Sequence, residues 1–115
     1  MVKKNNKINK ILNKLVDSLE ARGIDVYWLI LYGSFASGKA NSYSDIDIAV
    51  ISPDFKGKGI LKRQELLGEA IYPIGEPIEA LGYSPQEYKN PAPLSFLSEI
   101  LLTGKVVYSK RMKSA

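Results

Sequence analysis

Apolar residues recur at steps of three and four through Ile8, Ile11, Leu12, Leu15, Val16 and Leu19, with Lys and Asn between them. That spacing predicts an amphipathic helix over about 5–21, closed by Gly23 where a left-handed residue is wanted. The rhythm then changes. Val26-Tyr27-Trp28-Leu29-Ile30-Leu31-Tyr32 is β-branched and aromatic, and reads as a strand buried on both faces and ended by Gly33. Trp28 and Tyr27 are assigned to core packing rather than base stacking. The stretch 34–38 has room for one or two helical turns, and Asn41-Ser42-Tyr43-Ser44 is turn chemistry. From Asp45 to Ile51 polar and apolar residues alternate and then become wholly apolar, a second strand stopped by Pro53.

A loop is expected over 55–59, then a long helix over 60–71 with Leu66, Leu67, Ala70 and Ile71 inward. Pro73, Gly75 and Pro77 break it, and a third strand follows over 78–83. Ser84-Pro85-Gln86-Glu87 has the form of a capping box with Pro at the first helical position, so a short helix starts there. Residues 94–102 form a last helix ended by Gly104, and 105–108 form a short edge strand. Leu94, Leu97, Ile100 and Leu101 fall on one side of that helix, with Phe96 and Leu102 on others. This is more apolar surface than one face buries, so part of it is a candidate interface. Helices alternating with strands predict an α/β (α+β) fold: a small mixed sheet flanked by helices, as one domain over 1–115.

Composition narrows the chemistry. There is no His and no Cys in 115 residues, which excludes disulfides, thiolate sites and Ser-His-Asp triads. Chemistry must come from carboxylates, hydroxyls, backbone amides, Lys or Arg, and the metal such a chain binds best is a hard one held by oxygen. The net charge is +4, concentrated at the ends: Lys3, Lys4, Lys7, Lys10 and Lys14 at the start, and Lys110, Arg111 and Lys113 at the end. Without them the chain is mildly acidic. The basic ends read as a solvated helix face and tail rather than as a nucleic-acid site. The longest apolar stretch, 26–32, is far below the roughly 20 residues of a membrane span, and no apolar run follows the basic start as a signal peptide requires. A cytoplasmic, membrane-free protein is expected.

The candidate site is the run from Gly33 to Asp47. A buried strand enters Gly33, whose conformational freedom allows close approach, and Ser34 then opens a helical turn with free N–H groups and a hydroxyl, an anion cradle. After ten intervening residues come Asp45 and Asp47. Period two puts both carboxylates on one face about 6–7 Å apart, suited to shared cations. A phosphate cradle facing cation-binding carboxylates is equipment for phosphoryl or nucleotidyl transfer. Each piece alone is more often structural; the joint pattern is harder to explain that way.

The segment from Gly33 to Val50 resembles the signature of the DNA polymerase beta-type nucleotidyltransferase superfamily. It is most similar to the minimal nucleotidyltransferases, single-domain proteins often paired with a HEPN-domain partner in toxin–antitoxin systems. The likeness extends more loosely over about 8–88. It implies the nucleotidyltransferase fold and a two-Mg²⁺ (or Mn²⁺) reaction that transfers a nucleoside monophosphate, AMP from ATP or another NTP, to a hydroxyl, often on a partner protein. It implies Asp45 and Asp47 as metal ligands and Gly33 and Ser34 as seats of the β- and γ-phosphates. A third carboxylate, usually Asp on the next central strand, falls at Glu79, as metal ligand or general base. The competing reading makes Glu79 a rim residue on an edge strand, and Glu76 is the alternative third carboxylate. Ser37 stands where relatives often carry Arg, leaving a hydroxyl and the neighbouring Lys39 to meet phosphate. A HEPN-type partner is expected, nucleic acid is not, and self-association is left open. The rival reading is an antitoxin subunit that neutralises such a partner by covering it, with little or no catalysis.

Overall fold

The computed structural model describes residues 6–41 and 44–110. The basic residues Lys3, Lys4, Arg111 and Lys113 and the turn residues Ser42 and Tyr43 lie outside them. Helix α1 (Asn6–Ala21) carries the expected stripe, with Ile8, Ile11, Leu12, Leu15, Val16 and Leu19 all buried. Its end is a Schellman motif: Gly23 is left-handed at φ 83°, and Ile24 N–H donates to the Leu19 carbonyl at 3.0 Å.

Strand β1 (Trp28–Tyr32) runs into the one-turn helix α2 (Ser34–Ser37), and β2 (Ile46–Ile51) follows. Ser52 caps a 3₁₀ turn, Pro53–Phe55. Phe55, expected in a loop, is instead fully buried, and Gly82 leaves room for its ring: a Cβ there would sit 2.8 Å from it. Helix α3 (Ile60–Ile71), strand β3 (Ile78–Tyr83), helices α4 (Pro85–Lys89) and α5 (Phe96–Thr103) and strand β4 (Lys105–Ser109) complete the order. Helix α5 starts two residues later than the apolar pattern suggests, because Leu94 turns at φ 60° and the Ser95 hydroxyl accepts from Ser98 N–H at 3.1 Å. Of its apolar residues Leu97 and Ile100 are buried, while Leu94, Phe96 and Leu102 stay exposed.

The sheet is mixed, in the order β3-β2-β1-β4, with β1 antiparallel to β2 and β4 and β2 parallel to β3. One face, with Leu29, Leu31, Ile46, Ile48, Val50 and Ala80, packs on α1 and α3 in the main core. The other carries a smaller core of Ile30, Ala49, Ile51 and Ile100, rimmed by Trp28 and Tyr88, whose rings are 5.0 Å apart. Strand β3 is an edge strand, not the central one on which the resemblance placed a third carboxylate; with β4 on the far side of β1, no strand among the described residues lies beyond it. No helix among the described residues is long and apolar enough to cross a membrane.

Candidate active site

The smaller core covers only part of its face, and the polar residues of β2 and β3 occupy the rest. Side chains alternate along a strand, so Ile46 and Ile48 enter the main core while Asp47, and Asp45 just ahead of the strand, turn to the opposite face. In register Tyr32 of β1 stands opposite Asp47, and Asp47 stands beside Glu79 of β3. Three polar side chains therefore form one row across three strands, with Asp45 flanking it. The Glu79 carboxyl lies within hydrogen-bonding reach of those of Asp45 and Asp47.

The electrostatics follow from that crowding. The charge of Asp45, then that of Asp47, holds the Glu79 carboxyl above the usual carboxylate range. Burial, then the charge of Asp45, does the same to Asp47, although the Glu79 hydrogen bond works the other way. Burial first, then the Asp47 carboxylate, pushes the Tyr32 phenol up to about 12, so Tyr32 is a neutral hydroxyl at neutral pH. Phe96 of α5 meets the Tyr32 ring edge-on at 5.8 Å. Both rings line an open groove of about 520 Å³ with Gln64, Ile78, Glu79 and Leu81. Among the described residues no three carboxylates stand at metal-ligating spacing.

Gly33 joins this row to α2. It has φ 72° and ψ −150°, and a Cβ on it would overlap the Asp47 carboxylate, with Cγ only 3.1 Å away. The approach that requires glycine is thus made by Asp47 itself, and it ties the carboxylate to the start of α2. There the Gly33 carbonyl accepts from Ala36 and Ser37 N–H, leaving the N–H groups of Ser34 and Phe35 without an intrahelical acceptor. The structure therefore brings together Gly33, Ser34, Asp45, Asp47 and Glu79. It does not bring in the Ser37 hydroxyl, which donates back to the Ser34 carbonyl at 3.2 Å. Lys39 follows the left-handed Gly38, exposed, with its backbone N–H on the Ser34 carbonyl at 2.9 Å. Glu76 lies in the loop before Pro77, lining a different cavity with Lys7 and Ser44. Tyr32 and Phe96 are the additions that sequence reading missed. Tyr32 was detectable, since it ends the strand entering Gly33; Phe96 reaches the row only through the packing of α5.

Anion-binding backbone beside a carboxylate row can hold phosphates and the cations that accompany them in one place. Comparison with known proteins agrees with that chemistry. Residues 8–99 match the family described as "Nucleotidyltransferase domain". A putative protein adenylyltransferase of Methanocaldococcus jannaschii is 27% identical over 107 residues, covering 90% of this chain and 73% of the relative. Two crystal structures share the fold. A putative nucleotidyltransferase from Sulfolobus solfataricus has a TM-score of 0.65 at 16% identity, over 89% of this chain and 80% of that one. A toxin–antitoxin structure with AMP-PNP has a TM-score of 0.57 at 18% identity, over 88% and 75%.

Proposed function

The chain belongs to the nucleotidyltransferase domain family, and on that premise we propose that it moves AMP from ATP to a hydroxyl on a partner protein. The observation that carries this reading is the row of Asp45, Asp47 and Glu79 beside the Gly33–Ser34 turn. Its donor chemistry suits divalent cations, with carboxylate oxygens in like charges that a cation relieves and no nitrogen or sulfur among them, although the three do not stand at metal-ligating spacing. Asp45 and Asp47 would hold two Mg²⁺, or Mn²⁺, with Glu79 completing the set. Bound there, the ions supply neutralisation of charge on the phosphates. The backbone N–H groups and hydroxyl at Ser34 seat the β- and γ-phosphates, and exposed Lys39 adds a cation near that turn. Ser37, turned back onto its own helix, contributes less than the Arg of relatives would.

In this reaction the acceptor oxygen bonds to the α-phosphorus. The bond from that phosphorus to the bridging oxygen breaks, and pyrophosphate leaves with its electron pair. The acceptor proton passes to Glu79, whose exposed carboxyl on the sheet edge an incoming acceptor can reach. AMP and a protein acceptor are supported by the relative's designation as a protein adenylyltransferase. A partner of HEPN type, as the motif resemblance suggests, is supported more broadly by the toxin–antitoxin neighbour. The test is intact-mass analysis of the protein mixed with its genomic neighbour's product, ATP and Mg²⁺. The partner gains one AMP, and the gain is absent without metal or in Asp45→Asn. A second reading, an antitoxin that acts by binding alone, draws on the exposed Leu94, Phe96 and Leu102 around α5. Stable co-purification of an unmodified partner would decide for it.

A further inference from the structure

Strand β3 pairs on one side only, to β2, and in parallel, the weaker kind of ladder. A slip of one residue would send each of its side chains to the opposite face. Glu79 is the second residue of this strand, in register with Asp47 of β2. The end of β3 that carries Glu79 is thus held in the sheet by β2 alone. What restrains it comes from α3. Arg63 donates to the Gly82 carbonyl at 3.0 Å, and the adjacent Gln64 donates through Nε2 to the Ala80 carbonyl at 3.1 Å. Ala80 and Gly82 are alternate residues, so both carbonyls face the open edge of the strand. Arg63 holds the far end, where it also binds Glu87. Gln64 holds the residue next to Glu79.

We propose that Gln64 is a positioning residue: its side-chain amide clamps the Ala80 carbonyl of β3 and so keeps Glu79 in register with Asp47. Its effect on catalysis rests on the reading of Glu79 as part of the transfer site; its effect on β3 does not. Gln64→Leu keeps the bulk and removes the donor. Gln64→Arg restores one, as Arg63 shows an arginine on this helix can do. Ser18→Ala is the structural control, because the Ser18 hydroxyl links α1 to α3 at the Ala70 carbonyl, 2.7 Å away and in another part of the helix.

The experiment has two arms, both on the full chain. In hydrogen exchange without ATP, Gln64→Leu speeds exchange across Ile78–Tyr83 relative to Ile46–Ile51, and Gln64→Arg reverses this. Unchanged exchange in β3 overturns the clamp whether or not the protein is a transferase. In the transfer assay Gln64→Leu lowers kcat roughly tenfold to a hundredfold, as loss of a supporting residue does, with KM for ATP unchanged, and Ser18→Ala does not. In a Glu79→Gln background the Gln64→Leu cost disappears, because the two act as one unit. A cost that persists in that background, or that appears in KM for ATP, overturns the positioning role. A wild-type protein that transfers nothing overturns the proposed function and leaves the exchange arm to decide the clamp.

Discussion

Strand β3 begins beside Glu79 and is followed by Glu87, and the two glutamates live in opposite electrostatic worlds. At Glu79 two aspartates crowd an exposed carboxyl and hold its pKa up. At Glu87 burial also pushes the pKa up, but Ser84 N–H donates to its Oε1 at 2.7 Å and Arg63 donates to the same oxygen at 2.7 Å, and the net shift is down. The Ser84 hydroxyl accepts from Glu87 N–H in return, so the expected capping box is closed. One end of the strand is internally satisfied; the other gathers carboxylates of one sign against each other. A satisfied end adds stability. An unsatisfied end is built for something that arrives from outside, and folding tolerates it because the rest of the sheet is well packed.

The sharpest way to separate the two ends is charge removal. Asp45→Asn or Asp47→Asn keeps the shape and removes a cation-holding charge, so AMP transfer falls by roughly a thousandfold, several kcal/mol of transition-state stabilisation. Transfer from α-labelled ATP, with circular dichroism confirming the fold, measures it. A variant retaining most of its activity would place the chemistry elsewhere. Gly33→Ala should harm both stability and activity: its positive-φ, extended-ψ conformation, adopted essentially by glycine alone, costs an ordinary residue about 1–3 kcal/mol, and the added methyl overlaps the Asp47 carboxylate. Thermal melting and the same transfer assay check it.

At the other end, Glu87→Ala opens the capping box and the Arg63 ion pair. Since the glutamate side chain is 45% exposed, the loss is about 1–2 kcal/mol, read as a lower urea midpoint with ATP affinity unchanged. Glu79→Gln does the reverse: removing a repelled charge raises the melting temperature of the metal-free protein, while abolishing the further rise that Mg²⁺ gives the wild type.

The smallest effect is in pH, and its sign differs between the ends. A raised carboxyl, Glu79 or Asp47, contributes stability that is fully present below the ordinary carboxylate pKa of about 4 and lost as pH rises through the elevated folded value. A lowered one, Glu87, contributes stability present above that ordinary value and lost as pH falls through its folded value. Urea midpoints of metal-free protein across the acid range should therefore lose their acid-side gain in Glu79→Gln and part of their acid-side loss in Glu87→Gln. Parallel profiles for the two variants would erase the contrast between the ends.

Much of this molecule is local and was readable in the chain. The stripe from Ile8 to Leu19, the Gly23 terminus, the Ser84–Glu87 box and the alternation through Asp45 and Asp47 depend on residues a few positions apart, whose spacing sets the face each side chain takes. Phe55 was misplaced because its burial depends on the gap at Gly82, a residue on another strand. The late start of α5 was missed because apolar periodicity says nothing about the left-handed turn at Leu94.

The sequence alone determined that the two aspartates share a face, since strand geometry dictates it at short range, and it carried the spacing from Gly33 and Ser34 to Asp45 and Asp47 on which the family resemblance rests. Only the tertiary structure decided that Asp47 lies against Gly33, that Glu79 joins the row from an edge strand, and that Gln64 and Arg63 hold that edge. Strand order and register are set by the sum of many distant packing contacts, each too weak and too remote in sequence to leave a local pattern.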